Sequence, residues 1–99
     1  MIVYYDKSNK PITKERWEEL NANDAYRQVA YDETTVKGVI VSTIWLGNTL
    51  EPFSRRPMIF ETRILQDDQQ VHRFMAHTLT LALIQHRRAI EMVIDMFPP

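Results

Sequence analysis

The stretch Lys37-Gly38-Val39-Ile40-Val41-Ser42-Thr43-Ile44-Trp45-Leu46-Gly47 constrains the fold more than any other part of the chain. It is a run of β-branched and apolar residues, bracketed by the only two glycines of the sequence. Such a run has little polar face to give to water. It therefore reads as a central strand covered on both sides, over Val36 to Leu46. A second run, Met58 to Leu65, follows a loop from Asn48 to Pro57 that Pro52 and Pro57 punctuate. Within this second strand Met58, Phe60 and Ile64 share one face. Glu61 and Arg63 share the other, close enough to pair.

The flanking segments complete a layer. Ile2 to Tyr5 reads as a short strand and Lys7 to Pro11 as a turn. Thr13 suits the N-cap of a helix through about Asn21, with Trp17 and Leu20 on its buried face. Asp24 is placed to cap one further turn around Tyr26. Val29 to Thr34 is a strand expected to pair with the central one, and Asp67-Asp68 a hairpin turn into Gln70–Phe74. Thr78 can cap a long helix to about Met96, stopped by Pro98-Pro99. In it Leu79, Ala82, Leu83, His86, Ile90, Val93 and Phe97 trace one stripe at helical spacing, with Thr80, Arg87, Arg88, Glu91 and Asp95 opposite. The predicted class is α+β. A small, mainly antiparallel sheet of about four to six strands carries a short N-terminal helix and a long C-terminal amphipathic helix on one face.

With 99 residues and no linker, repeat or low-complexity segment, the chain reads as a single domain over 1–99. A formal net charge of −1 gives no global field toward long nucleic acid or a membrane surface. The absence of cysteine excludes a disulfide scaffold, a thiolate zinc site and a cysteine nucleophile, and it fits the cytosol. Met1 to Asp6 lacks the basic start and apolar core of a signal peptide. No apolar stretch approaches the ~20 residues of a membrane span.

No enzymatic signature accompanies this scaffold. There is no phosphate-cradling glycine loop, dinucleotide fingerprint or nucleophile elbow, so neither enzyme chemistry nor a cofactor is expected. His72, His77 and His86 match no common metal-ligand spacing. His86 interrupts the apolar stripe of the long helix. It reads either as a partly buried histidine with a satisfied hydrogen bond or as a donor at a pocket beneath the helix. Arg87-Arg88 reads as a solvated face with Glu91 one turn away, or as an anion clamp, because guanidinium forks fit phosphate. Arg55 and Arg56, beside Phe53, read as a solvated loop or as a phosphate grip next to a stacking ring. Arg73 is a further candidate, or a surface partner of Glu61. Trp45 is a core residue or a stacking platform.

Val41-Ser42-Thr43-Ile44-Trp45-Leu46-Gly47, Pro57-Met58-Ile59-Phe60-Glu61-Thr62, Arg73 and the Ala82/His86 pair together resemble a family of small phage and prophage proteins. Those proteins share a VSTxWLG … P-x-[IL]-FET … R-[YF] … A-x-x-x-H pattern. The opening Ile2-Val3-Tyr4-Tyr5-Asp6 is similar too. The chain departs from the pattern after Gly47, where relatives often carry Asp-His and a glycine-rich stretch. The resemblance implies an accessory protein in the cytosol of an infected or lysogenic bacterium. By architecture alone the chain is also reminiscent of Thoeris anti-defence sponges, which bind cyclic ADP-ribose-type signals between protomers.

Two functions are thus expected. The first is a non-enzymatic, homo-oligomeric counter-defence module that sequesters a small phosphorylated nucleotide. It would use Arg55, Arg56, Arg73, Arg87, Arg88, Trp45, Phe53 and His86. The second is a contact with a host defence protein or a virion protein through the C-terminal helix, where Leu81, Ile84, Met92 and Met96 flank the main stripe.

Overall fold

A computed structural model describes residues 2–49 and 55–97. The central run forms β4 (Val39–Trp45), held between β3 (Gln28–Glu33) and β6 (Phe60–Gln66), with β7 (Gln69–Ala76) outside β6. All three pairings of this sheet are antiparallel. A smaller antiparallel sheet joins β2 (Pro11–Ile12), β1 (Val3–Tyr5) and β5 (Asn48–Thr49) in that order. Helix α1 (Lys14–Asn21), the single turn α2 (Asp24–Arg27) and the long α3 (Leu79–Met96) complete an α+β fold.

Strand register decides what α3 covers. Trp45 pairs with Phe60, Thr43 with Thr62 and Val41 with Ile64, so these six side chains share one face. All six are 0–1% exposed. Ala82, His86, Ala89 and Val93 of α3 are buried against them. Two apolar clusters result. One gathers Leu20, Trp45, Ile59, Phe60, Ala76 and Ala82; the other gathers Val39, Val41, Ile64, Ala89 and Val93. The opposite face of the sheet carries Ser42, Ile44, Glu61, Arg63, Arg73 and Met75.

Several boundaries differ from those the sequence suggests. The central strand starts at Val39, because Val36 belongs to a turn in which the Val39 amide bonds the Val36 carbonyl at 3.1 Å. The next strand starts at Phe60, leaving Met58 outside it and 48% exposed, and β7 runs on to Ala76. The region expected to be an unbroken loop opens with β5, which closes the small sheet on β1. The cap of α2 is Asn23 and not Asp24. The Asn23 side chain accepts from the Tyr26 amide at 3.2 Å, and Asp24 is already helical. Thr13 and Thr78 cap α1 and α3 as read. The inward stripe of α3 is narrower than the sequence suggests. Ala89 joins it, while Leu79 and Leu83 stay 36% and 46% exposed. Small residues let the helix sit close to the sheet, which tilts the bulky flank outward. Pro98 and Pro99, read as the helix stop, and Phe53 lie outside the described residues.

Asp67 and Asp68 both have positive φ, 49° and 67°, and Gln66 pairs with Gln69 across them. That is the two-residue turn whose twist suits a tight hairpin, with Asp tolerating the left-handed region. Gly38 and Gly47 also have positive φ, at 80° and 70°. A Cβ on Gly38 would meet Asp67 Oδ1 at 2.5 Å, the end of an exposed turn side chain that can swing away. A Cβ on Gly47 would lie 2.1 Å from the Trp45 ring. That ring is fixed: its Nε1–H donates to the Tyr5 carbonyl at 3.1 Å, and Tyr26 packs edge-on at 5.0 Å. Gly38→Ala is expected to cost about 1–3 kcal/mol for the backbone conformation alone. Gly47→Ala should cost about 1–3 kcal/mol more, for overpacking against the indole. Urea unfolding of the two variants checks the order; equal losses would contradict a fixed ring.

Candidate functional site

The side chain that interrupts the apolar stripe of α3 finds matching polar groups on the sheet. His86 Nδ1 lies 2.8 Å from Thr43 Oγ1, and Thr43 Oγ1 lies 2.6 Å from Thr62 Oγ1. On its other side His86 Nε2 lies 2.7 Å from Asp32 Oδ2 on β3. One assignment satisfies every donor in this chain. Thr62 donates to Thr43, Thr43 donates to Nδ1, and Nε2–H donates to the carboxylate. Both threonines are fully buried and His86 is 5% exposed, whereas the Asp32 side chain keeps half its surface in water. The histidine is therefore a satisfied core residue with two hydrogen bonds.

A hydroxyl, an imidazole and a carboxylate in line are the parts of an acyl-transfer triad. Here the hydroxyl of Thr43 is at 0% exposure, closed over by α3, and a substrate carbonyl has no path to it. The network holds the helix on the sheet and offers no nucleophile. His72 and His86 belong to the helix side of the sheet, and Glu61 lies on the far side.

On that far side Glu61 sits between two guanidinium groups. Arg73 Nε donates to Glu61 Oε2 in a close ion pair. Arg63 Nε approaches Glu61 Oε1 at 3.4 Å without hydrogen-bond alignment. One largely buried carboxylate thus faces two cations, and the Arg73 side chain remains 52% exposed.

Arg73 opens a groove that wraps around β7, an edge strand of the sheet. On the far face, a cleft of about 480 Å³ is lined by Arg73, Met75, Met58, Ile2, Asn48 and Thr49, among others. Met58 and Met75 also line a second cleft of about 490 Å³, together with Arg56, His77, Thr78 and Gln85. Gln85 in turn lines a third, of about 210 Å³, on the helix side with Arg88, Phe74 and Met92. Shared walls make the three clefts neighbours. Gln85 Nε2 donates to the Met75 carbonyl at 2.9 Å, and its Oε1 is buried without a partner. The two larger volumes are of the order that suits small ligands.

The structure therefore sets three of the residues singled out in the sequence, Arg56, Arg73 and Arg88, each in a different one of these neighbouring clefts. It separates the others. Arg87 is exposed on another side of α3 from Arg88, Arg55 is an exposed neighbour of Arg56, and Trp45 and His86 are core residues. Trp45 cannot act as a stacking platform, because its ring has no exposed face. The ring beside an arginine is instead Phe74, which stacks on His72 at 5.0 Å and 10°. Nothing in the local sequence of Phe74 marks it; only the turn of α3 over β7 brings Arg88 to it.

The three histidines lie apart. His72 stacks on Phe74, His86 is in the core, and His77 Nδ1–H donates to the Pro57 carbonyl at 2.8 Å ahead of α3. Among the described residues no group of three or more His, Asp or Glu side chains could hold a metal ion. Nor, among them, is any helix long and apolar enough to cross a membrane. Comparison with protein-family models, curated proteins and solved structures gives no match.

The core network makes a quantitative claim. Thr43→Val should cost about 1–3 kcal/mol, since it strands the Thr62 hydroxyl and His86 Nδ1, whereas Thr62→Val should cost about 0.5–1.5 kcal/mol, because Thr43 keeps its bond to His86. The double variant should cost less than the sum, because the shared hydroxyl contact can be lost only once. Urea unfolding of the three variants tests this; strict additivity would contradict a shared bond.

Proposed function

We propose that this chain is a non-enzymatic binding module that holds a small phosphorylated ligand, of the cyclic nucleotide type, in the groove around β7. Sequestration of such a signal is a counter-defence function, and it suits the phage-type accessory role that the sequence pattern implies. The observation that carries the reading is the convergence of Arg56, Arg73 and Arg88 on adjoining clefts, from three separate parts of the chain. Guanidinium forks bind phosphate oxygens in two-pronged fashion. Glu61 offers one carboxylate to Arg63 and Arg73 together, so this end of the groove keeps an excess of positive charge. Phe74 lines the cleft at the Arg88 end and adds apolar contact for a base there.

A second reading is a protein contact through α3. It is favoured by Leu79, Leu81, Leu83, Ile84 and Ile94, large apolar side chains of one helix that are 36–59% exposed.

Thermal unfolding with cyclic nucleotides and ADP-ribose derivatives tests the first reading. A ligand at 100 times its dissociation constant should stabilise the protein by about 2.7 kcal/mol. The Arg56→Ala, Arg88→Ala double variant leaves the Arg73–Glu61 pair intact and should lose most of that gain. Failure of every phosphorylated nucleotide to raise the unfolding temperature would contradict the proposal.

A further inference from the structure

Rotated about half a turn from the buried stripe of α3 lies an outward ridge, Thr80, Ile84, Arg87, Glu91 and Ile94. Its steps alternate between four and three residues, the spacing of a coiled-coil seam. Ile84 and Ile94 are 43% and 59% exposed, and Leu83, at 46%, flanks them. Among the described residues neither Arg87 nor Glu91 has an ion-pair partner, although they stand one turn apart on the same helix.

We propose that this ridge is the interface of a two-fold homodimer, in which α3 packs antiparallel against α3 of a second copy. This goes beyond the ligand reading and deepens the reading of α3 as a protein-contact face, on which it rests. The occupant follows from the charge pattern. A two-fold axis at the level of Ala89 sets Ile84 opposite Ile94 of the second copy. The same axis sets Arg87 opposite Glu91 of the second copy, and by symmetry each contact forms twice. One operation therefore matches apolar to apolar and cation to anion from Ile84 to Ile94. A parallel pair would instead set Arg87 on Arg87 and Glu91 on Glu91, which like-charge repulsion disfavours. Polar and charged residues in a helix seam are a known device for fixing orientation and register. A foreign partner would need a complementary ridge of its own, whereas this ridge already complements itself. Arg88 points away from the seam toward Phe74, so dimerisation leaves the groove around β7 open.

Analytical ultracentrifugation of the full chain tests the proposal, with circular dichroism to confirm that each variant remains folded. The wild type should sediment at twice the monomer mass. Arg87→Glu and Glu91→Arg, separately, should each weaken the dimer at least tenfold, because each makes both cross-pairs repulsive. An equimolar mixture of the two variants should restore a dimer containing one copy of each, since every cross-pair is again opposite in sign. Repair within a single helix cannot produce that rescue, because each chain in the mixture keeps its like-charged pair. A chain that stays monomeric at about 1 mM, or a mixture no tighter than its components, overturns the homodimer. A photo-crosslinker at position 84 separates the two levels of the argument. Adducts at twice the chain mass are the expected result. Adducts solely with other proteins overturn the second copy but keep α3 as a contact face, and no adduct at all removes both.

Discussion

The position of α3 on the sheet is set by one imidazole and two hydroxyls. His86 meets Thr43 and Thr62 where the two apolar clusters of the core adjoin. Apolar packing alone is tolerant of sliding, because Ala82 and Ala89 could rest on other parts of the same face. The polar layer is not tolerant. A slip of one turn would move the ring about 5.4 Å, from the hydroxyls onto Val41 and Ile64 or onto Trp45 and Phe60. Both the ring and the threonines would then be buried without partners, at about 1–3 kcal/mol each. Asp32 adds a tether from β3, so a single side chain links α3 to β3 and β4 directly and to β6 through Thr62.

The other surfaces follow from that placement. With His86 facing the sheet, Arg88 turns toward the β7 edge and lines a cleft with Phe74, while Arg87 and Glu91 are left in solvent. The edge of β7 is where residues from the far sheet face, the segment ahead of β6 and the helix can all converge. The groove and the outward ridge of α3 are thus separate surfaces of one docked helix. A ligand in the proposed groove and a second copy on the proposed ridge would therefore occupy different faces.

Much of the scaffold was legible in the sequence because its signals are local. The glycine-bracketed run announces β4, Thr13 and Thr78 announce their helices, and Asp67-Asp68 announces the hairpin. Asn48-Thr49 carries no such signal; its strand character comes from pairing with β1. The inward face of α3 is narrower than its periodicity suggests, because spacing favours Leu79 and Leu83, whereas close approach to the sheet favours Ala82 and Ala89. The site was less legible than the fold. Arg55 with Arg56, and Arg87 with Arg88, look like pairs in sequence, but the first pair lies in a bend and the second on a helix, where adjacent residues point about 100° apart. Only one member of each pair lines the groove. Asp32, Thr43 and Thr62 were not recognisable as partners of His86, since each is ordinary until strand register aligns them. Polar residues alternating with Val41 and Trp45, and with Phe60 and Ile64, were the available clue.

The account depends most on the hydrogen bonds of His86, and imidazole ¹⁵N NMR observes them directly. Spectra of the folded chain should show the ring protonated at Nε2, where Asp32 accepts, and unprotonated at Nδ1, where the Thr43 hydroxyl donates. The Nε2 proton should exchange slowly with water. A ring protonated at Nδ1 instead, or an Nε2 proton exchanging at the rate of a free histidine, would contradict a helix locked to the sheet by this layer.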